Sequence, residues 1–326
     1  MLAAALIHSA TAAPVREFDL TRADIQQFIA QTSARTGMPA EQISQVLSQA
    51  QPQPAILTAM EKPAERVLPW WQYRERFLRS QRISDGLRFW QQHAAALTQV
   101  EQRYGVPAEY LLAILGVETQ YGRVTGRYKV LDALTTLAFD YPPRAPYFQQ
   151  ELEQLLLLMR DELLDIYSVR GSYAGAMGAP QFMPSSYRRY AIAAQQQGKP
   201  DLWQDWDDIL ASMANYLVAN GWQRDQAVMD DTQIDHEADD ALQFKLALND
   251  TVGALRQRGY AVPADQADAT PVVLVPAELA DAMSWRIGYT NYYVITRYNR
   301  SPRYAMAVHD LAQALRAARS SPPVTP

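Results

Sequence analysis

The chain has no cysteine in its 326 residues. That excludes disulfide staples, thiolate metal centres, cysteine nucleophiles and an acylated N-terminal cysteine. Histidine is scarce as well: His8, His93, His236 and His309 never fall at metal-ligand spacing, so no metal is expected. Lysine is confined to Lys62, Lys129, Lys199 and Lys245, and the net charge is −5 with no basic stripe, which argues against a nucleic-acid partner. No apolar run approaches the roughly 20 residues that span a bilayer. Neither a Gly-Lys-Ser/Thr phosphate cradle nor a Gly-x-Ser-x-Gly nucleophile elbow is present, and no internal repeat of solenoid length is seen.

What is present is an ordinary globular composition, 48% hydrophobic and 20% charged. The length allows one large core or two domains. The first fourteen residues, MLAAALIHSATAAP, resemble part of a secretory signal: a short apolar run and an Ala10-Thr11-Ala12 pattern like a cleavage site, without a positive n-region. Two short helices are expected over 15–50, with Thr21 and Asp24 as a capping-box-like start and Gly37 as the break. Aromatics then cluster at Trp70, Trp71, Tyr73 and Phe77. Their ring faces suit packing or a sugar groove. A long helix over about 82–104 ends at Gly105.

The organising stretch is LLAILGVETQYG, 111–122. At helical spacing Leu111, Ile114, Leu115 and Glu118 share one face. A buried face makes a charge costly, so a carboxyl there can stay protonated near neutrality and act as a general acid. The plainer alternative is a glutamate turned to solvent or to an arginine such as Arg123. An amphipathic helix follows from Phe148 to Leu163, and then GSYAGAMGAPQFMPSSY at 171–187, whose glycines imply close backbone approach. Another helix is expected over 207–220, then a solvated acidic loop at 230–240. Segments 271–276, 284–289 and 291–298 read as strands, the last two as a hairpin. Ser301-Pro302 begins a final helix before a disordered tail.

Five stretches together resemble the membrane-bound lytic transglycosylase B family of bacterial peptidoglycan lyases: GVETQYGRVTG, LDALTTLAFDYP, GSYAGAMGAPQFMPSSY, ANYLVANGW and YVITRYNRSPRYAMAV. The resemblance implies a mainly α fold with a small β subdomain, in which a lysozyme-like catalytic core is joined by an additional helical domain. It implies cleavage of the β-1,4 bond between N-acetylmuramic acid and N-acetylglucosamine without water, giving a 1,6-anhydro end. One glutamate, matching Glu118, acts as acid and then as base. A usual glycoside hydrolase needs a second carboxylate, and none lies in the matching glycine-rich segment; Asp132, Asp140 and Asp161 are the other candidates.

The remaining site residues are also implied by the resemblance. Ser172 matches a serine that hydrogen-bonds the glutamate. Gln181 matches a sugar-contacting glutamine. Tyr73, Tyr216 and Tyr298 match groove tyrosines, with Asn299 beside the last, and Met177 and Phe182 match apolar groove residues. Arg144 matches one of two adjacent arginines facing the peptide stem, and Pro143 replaces the other. Some relatives carry a calcium loop after the PSSY segment; here AAQQQGKPDLWQ, 193–204, lacks the required carboxylates, so no metal and no cofactor is expected.

The expected organisation is a leader at 1–14, a helical region at 15–65, the core at 66–229, a β-containing domain at 230–300, a C-terminal helix at 301–318 and a tail at 319–326. Without an acylated cysteine the expectation is a soluble periplasmic monomer acting on peptidoglycan glycan strands, with other cell-wall enzymes as further partners. A hydrolytic muramidase, a non-catalytic peptidoglycan-binding protein and a scaffold are the competing readings.

Overall fold

The computed structural model describes residues 17–61, 68–195, 198–234 and 244–320. The leader read at 1–14, most of the acidic loop and the last six residues of the tail lie outside these. In chain order the described helices are α1 (Ala23–Thr36), α2 (Ala40–Leu47), α3 (Pro54–Glu61), α4 (Trp70–Glu75), α5 (Ser80–Gln92), α6 (Ala94–Tyr104) and α7 (Ala108–Thr119). They continue with α8 (Val130–Asp140), α9 (Ala145–Arg160), α10 (Pro184–Tyr190), α11 (Trp206–Ala219), α12 (Val252–Gln257), α13 (Thr290–Tyr298) and α14 (Pro302–Ser320). The strands are β1 (Tyr128–Lys129), β2 (Arg170–Gly171), β3 (Met229–Thr232), β4 (Asp250–Thr251), β5 (Pro271–Glu278) and β6 (Met283–Gly288).

Two compact units emerge, and neither is continuous in sequence. The first takes the described residues up to 61 together with 128–169 and 173–175. In it α8 and α9 pack together, α1 meets both, α2 lies on α1 and α3 lies on α8. Phe28 packs edge-on against Phe139 at 5.5 Å, and Arg22 reaches Asp140 at 2.6 Å. The proline-rich link before α3 is tied down by Asp132, which accepts the Gln51 N–H at 3.0 Å, and by Thr136, which accepts the Gln53 N–H at 3.0 Å. Helix α1 starts differently from the expected capping box. Its N-cap is Arg22 with no side-chain cap, Asp24 binds the Arg22 guanidinium, and Asp19 accepts the Thr21 N–H.

The second unit takes 68–127, 170–172 and 176–320 of the described residues. Boundaries drawn from sequence at 229 and 300 fall inside this unit, and 128–169 groups with the N-terminal helices. Its centre is α7. Every residue of α7 from Ala108 to Gly116 is buried, so the helix is enclosed all round and not only on one face. The expected long helix over 82–104 is two helices, α5 and α6, hinged at His93 (φ −115°, ψ 25°). The imidazole of His93 stacks on Phe89 at 4.3 Å and meets Trp206 at 5.2 Å.

Four antiparallel strands run in the order β3-β6-β5-β4. The sheet buries Val272, Ile287, Trp285 and Tyr289 against Val252, Leu255 and Tyr260. The hairpin is β5–β6, with Glu278 opposite Met283 at its end. The segment 291–298, expected to be a strand, is helix α13. Its β-branched and aromatic residues suit either state, and Asn291 decides it. That buried amide binds the Gln223 N–H and the carbonyls of Gln223 and Gln226, which fixes the first turn of a helix packed on its buried face.

Candidate active site

Glu118 sits one residue before the end of α7 and is half-buried, with Leu111, Ile114 and Leu115 fully buried on the turns below it. The chain leaves this helix through three successive left-handed residues, Gln120 (φ 51°), Tyr121 (φ 61°) and Gly122 (φ 80°). Two of them are not glycine, and strain of this kind is held only where the surroundings over-determine it. The fixing contacts are clear. The Tyr121 N–H donates to the Leu115 carbonyl at 3.0 Å, and its hydroxyl donates to the Arg82 carbonyl at 3.0 Å. The ring lies over Gly86 and Gly116, where a Cβ would come within 2.4 Å and 2.8 Å of the Tyr121 hydroxyl oxygen. At Gly122 a Cβ would meet the Trp206 ring at 2.6 Å. The Gly-x-Glu-x-x-x-Gly spacing therefore has a steric reason: both glycines clear aromatic rings that hold the end of α7.

The glycine-rich loop is fastened to this end. Thr119 Oγ1 donates to the Ala179 carbonyl at 2.9 Å and accepts the Gly122 N–H at 3.0 Å. Met177 and Phe182 exchange a pair of backbone hydrogen bonds of 2.8 Å and 3.0 Å. Both side chains are buried. At Gly178 (φ 66°) a Cβ would meet the Leu202 carbonyl oxygen at 2.4 Å. Ser172 closes the other side of the loop, accepting the Ala176 N–H on Oγ at 3.1 Å. Gln181 adopts a left-handed φ of 54° and spends both amide hydrogens on the carbonyls of Thr125 and Gly178, each at 3.0 Å. Its amide oxygen is the group left to face a ligand.

The carboxylate itself meets tyrosine. Tyr304, on the first turn of α14, donates its hydroxyl to Glu118 Oε1 at 2.7 Å. Burial first, then the Glu118 charge, hold this phenol well above its ordinary pKa, so it stays a donor. Tyr298 feels the same two effects, and its hydroxyl donates to the Pro180 carbonyl at 2.9 Å. The ring of Tyr216 lies 4.8 Å from that of Tyr298 and 5.6 Å from that of Phe182, and its hydroxyl donates to the Arg297 carbonyl at 2.6 Å. Tyr73 is buried, 5.1 Å from Phe77, and couples electrostatically to the Tyr304 phenol. Asn299 follows Tyr298 at the end of α13.

The structure thus draws Glu118, Tyr73, Tyr216, Tyr298, Met177 and Phe182 into one unit and adds Tyr304, which the sequence reading passed over although it lies inside a quoted motif. Arg144 belongs to the other unit, exposed and stacked over Tyr147 at 4.5 Å. Arg123, the alternative partner for Glu118, binds the Asp85 carboxylate and the Gln120 carbonyl. The other candidate carboxylates have structural work in the first unit: Asp132 caps the Gln51 link, Asp140 binds Arg22, and Asp161 binds Arg160 at 2.7 Å.

A cleft of about 920 Å³ opens at the other end of α7, lined by Tyr110, Trp222, Asp230, Arg286, His309 and Asp310 among others, and does not include Glu118. No group of three or more metal-ligating side chains occurs among the described residues, and none of their helices is long and apolar enough to cross a membrane.

The transglycosylase SLT domain family matches residues 21–313. Membrane-bound lytic murein transglycosylase B of Escherichia coli strain K12 is 39% identical over 305 residues, covering 90% of this chain and 83% of that protein. Catenated lytic transglycosylase SltB1 from Pseudomonas aeruginosa superposes with a TM-score of 0.86 at 40% identity, over 92% of this chain and 99% of that one. The lytic transglycosylase Slt35 of Escherichia coli, solved in complex with bulgecin A, gives 0.82 at 36% identity, over 94% and 96%.

Proposed function

Since the chain belongs to the transglycosylase SLT domain family and is a lytic transglycosylase of peptidoglycan, we propose that Glu118 is its single acid and base. In the first step the Glu118 carboxyl gives its proton to the glycosidic oxygen between N-acetylmuramic acid and N-acetylglucosamine, and the bond from the muramyl anomeric carbon to that oxygen breaks. The substrate's own acetamido group stabilises the electron-poor carbon. In the second step the muramyl 6-hydroxyl oxygen bonds to that carbon and its proton passes to Glu118. The product is a 1,6-anhydro end, and no water is consumed.

The observation that carries this reading is the hydrogen bond from Tyr304 to Glu118 in a surround of tyrosines. A phenol stabilises the carboxylate without fixing it as a permanent ion, as a guanidinium would, so the group can both lose and regain a proton. Ser172 donating to the same carboxylate, Gln181 receiving a sugar N–H or O–H on its amide oxygen, and Tyr73, Tyr216, Tyr298 and Asn299 walling the glycan path complete the proposal. Arg144 is assigned to the peptide stem.

The protein works in the periplasm as a monomer, which agrees with the export-like leader and with the location of its substrate. Digestion of purified sacculi followed by mass analysis of the muramyl ends tests the reaction. Ends lighter by one water are expected, and hydrolysed reducing ends would make the protein a muramidase. A pull-down with Glu118→Gln tests recruitment of other wall enzymes.

A further inference from the structure

Glu278 stands at the last position of β5, opposite Met283, where the hairpin turn is closed by the Leu279 N–H on the Ala282 carbonyl at 2.8 Å. It binds two of the helices that bring tyrosines around Glu118, α4 across 208 residues and α14 across 25. Its Oε2 accepts the N–H of Trp70, the first residue of α4, at 3.1 Å. Its Oε1 accepts the Arg303 guanidinium at 2.9 Å. Helix α4 has Pro69 at its N-cap and no side-chain cap of its own, so the glutamate supplies one from across the fold. Tyr73 follows Trp70 by one helical turn, and Tyr304 follows Arg303 directly.

We infer that Glu278 is a positioning residue for the catalytic site: by holding Trp70 and Arg303 together it sets the spacing between Tyr73 and Tyr304, and through Tyr304 the donor on Glu118. The inference rests on the assignment of Glu118 as the acid and base. The glutamate is built for a constant grip. Burial alone would push its carboxyl up, but the Trp70 N–H and the Arg303 guanidinium outweigh this and hold it below the usual carboxylate range. A hairpin end is also a rigid mount, since the register of β5 on β6 continues to Glu278 itself.

The test uses the full chain carrying Glu278→Ala, Glu278→Gln, Arg303→Met and the Ala/Met double change, with kinetics on soluble glycan strands. Glu278→Ala and Arg303→Met should each lower kcat about tenfold with KM within about twofold, the mark of a lost transition-state contact. Glu278→Gln should fall between them and wild type, because its amide oxygen can keep one of the two bonds. The double change should fall no further than the single ones, because the two residues act as one brace. The alkaline limb of the pH–rate profile should move to higher pH in each, as Tyr304 withdraws its hydrogen bond and the Glu118 acid holds its proton longer.

A purely structural glutamate would lower the melting temperature while leaving kcat and that limb in place well below it. Single variants within about twofold of wild type in kcat, or additive losses in the double change, overturn the inference. If Glu278→Ala does not fold, Glu278→Gln and Arg303→Met decide the matter alone. The Glu118→Gln protein separates the parent reading: turnover above about 1% of wild type removes the Glu118 assignment, whereas an inactive Glu118→Gln with indifferent Glu278 variants sinks only the brace.

Discussion

Two carboxylates flank the left-handed turn at the end of α7, and their surroundings differ in kind. Asp85, on α5, is 5% exposed and is bound by the guanidinium groups of Arg88 and Arg123 and by the Gln81 amide. Burial would raise its pKa, but Arg123 and Gln81 prevail and hold it below the usual range. Glu118, on the other side of Tyr121, receives a phenol. The first arrangement makes a permanent anion that ties α5 to the turn; the second leaves a group that can exchange a proton. Whether a carboxylate buried in the same few turns becomes a structural pin or a reagent is decided by the donor placed against it.

The largest test of this contrast exchanges the acid for an amide on each side. Glu118→Gln should abolish cleavage, by at least the ~10²–10⁴-fold that general acid–base catalysis supplies, with melting temperature and glycan binding retained. The amide is close in shape but has no proton to give. Turnover above about 1% of wild type would move the role to another residue. Tyr304→Phe should come next, with about a tenfold loss, the size of one hydrogen bond to a charged group. Removing a donor disfavours the carboxylate, so the alkaline limb of its pH–rate profile, where the acid loses its proton, should move to higher pH. An unmoved limb would mean that the phenol only fills space.

Asp85→Asn should show the opposite pattern: a small change in kcat and a loss of about 1–2 kcal/mol in stability, moderate because Arg88 and Arg123 are half exposed and regain water. The sign with pH follows from the depressed pKa. The contribution of Asp85 is present at and above the ordinary carboxylate range and disappears as pH falls through its lowered value. Denaturant melts should therefore show wild type more stable than Asp85→Asn at pH 7, with the gap between them closing in acid. If the gap between the two proteins stays constant with pH, the ion pairs are not its source.

The end of α7 was legible because its signals are local: an apolar run, one carboxylate, and glycines whose spacing clears Tyr121 and Trp206. The mainly helical architecture was legible for the same reason. What escaped notice depends on distant partners. Tyr304 reaches Glu118 across 186 residues, and nothing in the periodicity of α14 marks a tyrosine on its buried face as a donor. Asn291 turns a strand-like composition into α13 through bonds to residues more than 60 positions away. The break between α5 and α6 comes from His93 stacking on Phe89 and Trp206, where the apolar period runs on unbroken. Compact units built from alternating segments cannot be read by drawing boundaries along the chain.

Ser172 offers a finer test. Its hydroxyl oxygen accepts the Ala176 N–H, which orients the group within the loop. If its hydrogen goes to Glu118, Ser172→Ala should cost about 1–2 kcal/mol of transition-state stabilisation and move the alkaline limb to higher pH, as Tyr304→Phe does. The two effects should not add if both donors serve the same carboxylate oxygens. An unchanged profile and rate would reduce Ser172 to a loop residue.

The smallest effect is expected where a third set of carboxylates has been spent differently again. Asp208, buried near the start of α11, accepts the backbone N–H groups of Ala194 at 2.7 Å and Asp201 at 2.9 Å. Asp201 in turn accepts those of Trp203 at 2.7 Å and Gln204 at 3.0 Å. Both carboxylates thus spend oxygens on backbone N–H groups at Ala194 and over 201–204, whereas a calcium ion asks for about 6–8 oxygen ligands turned inward. Chelator or millimolar calcium should leave activity unchanged and move the melting temperature by less than about 1 °C, since an ion that does not bind the native state cannot stabilise it. Asp208→Asn should loosen the segment, because a neutral amide oxygen is a weaker acceptor for those two N–H groups, and should do so equally with or without calcium. A calcium-dependent rise in melting temperature that vanishes in Asp208→Asn would show that the carboxylate has a second use, and that the hydrogen-bonded closure is only the metal-free form of a cation site.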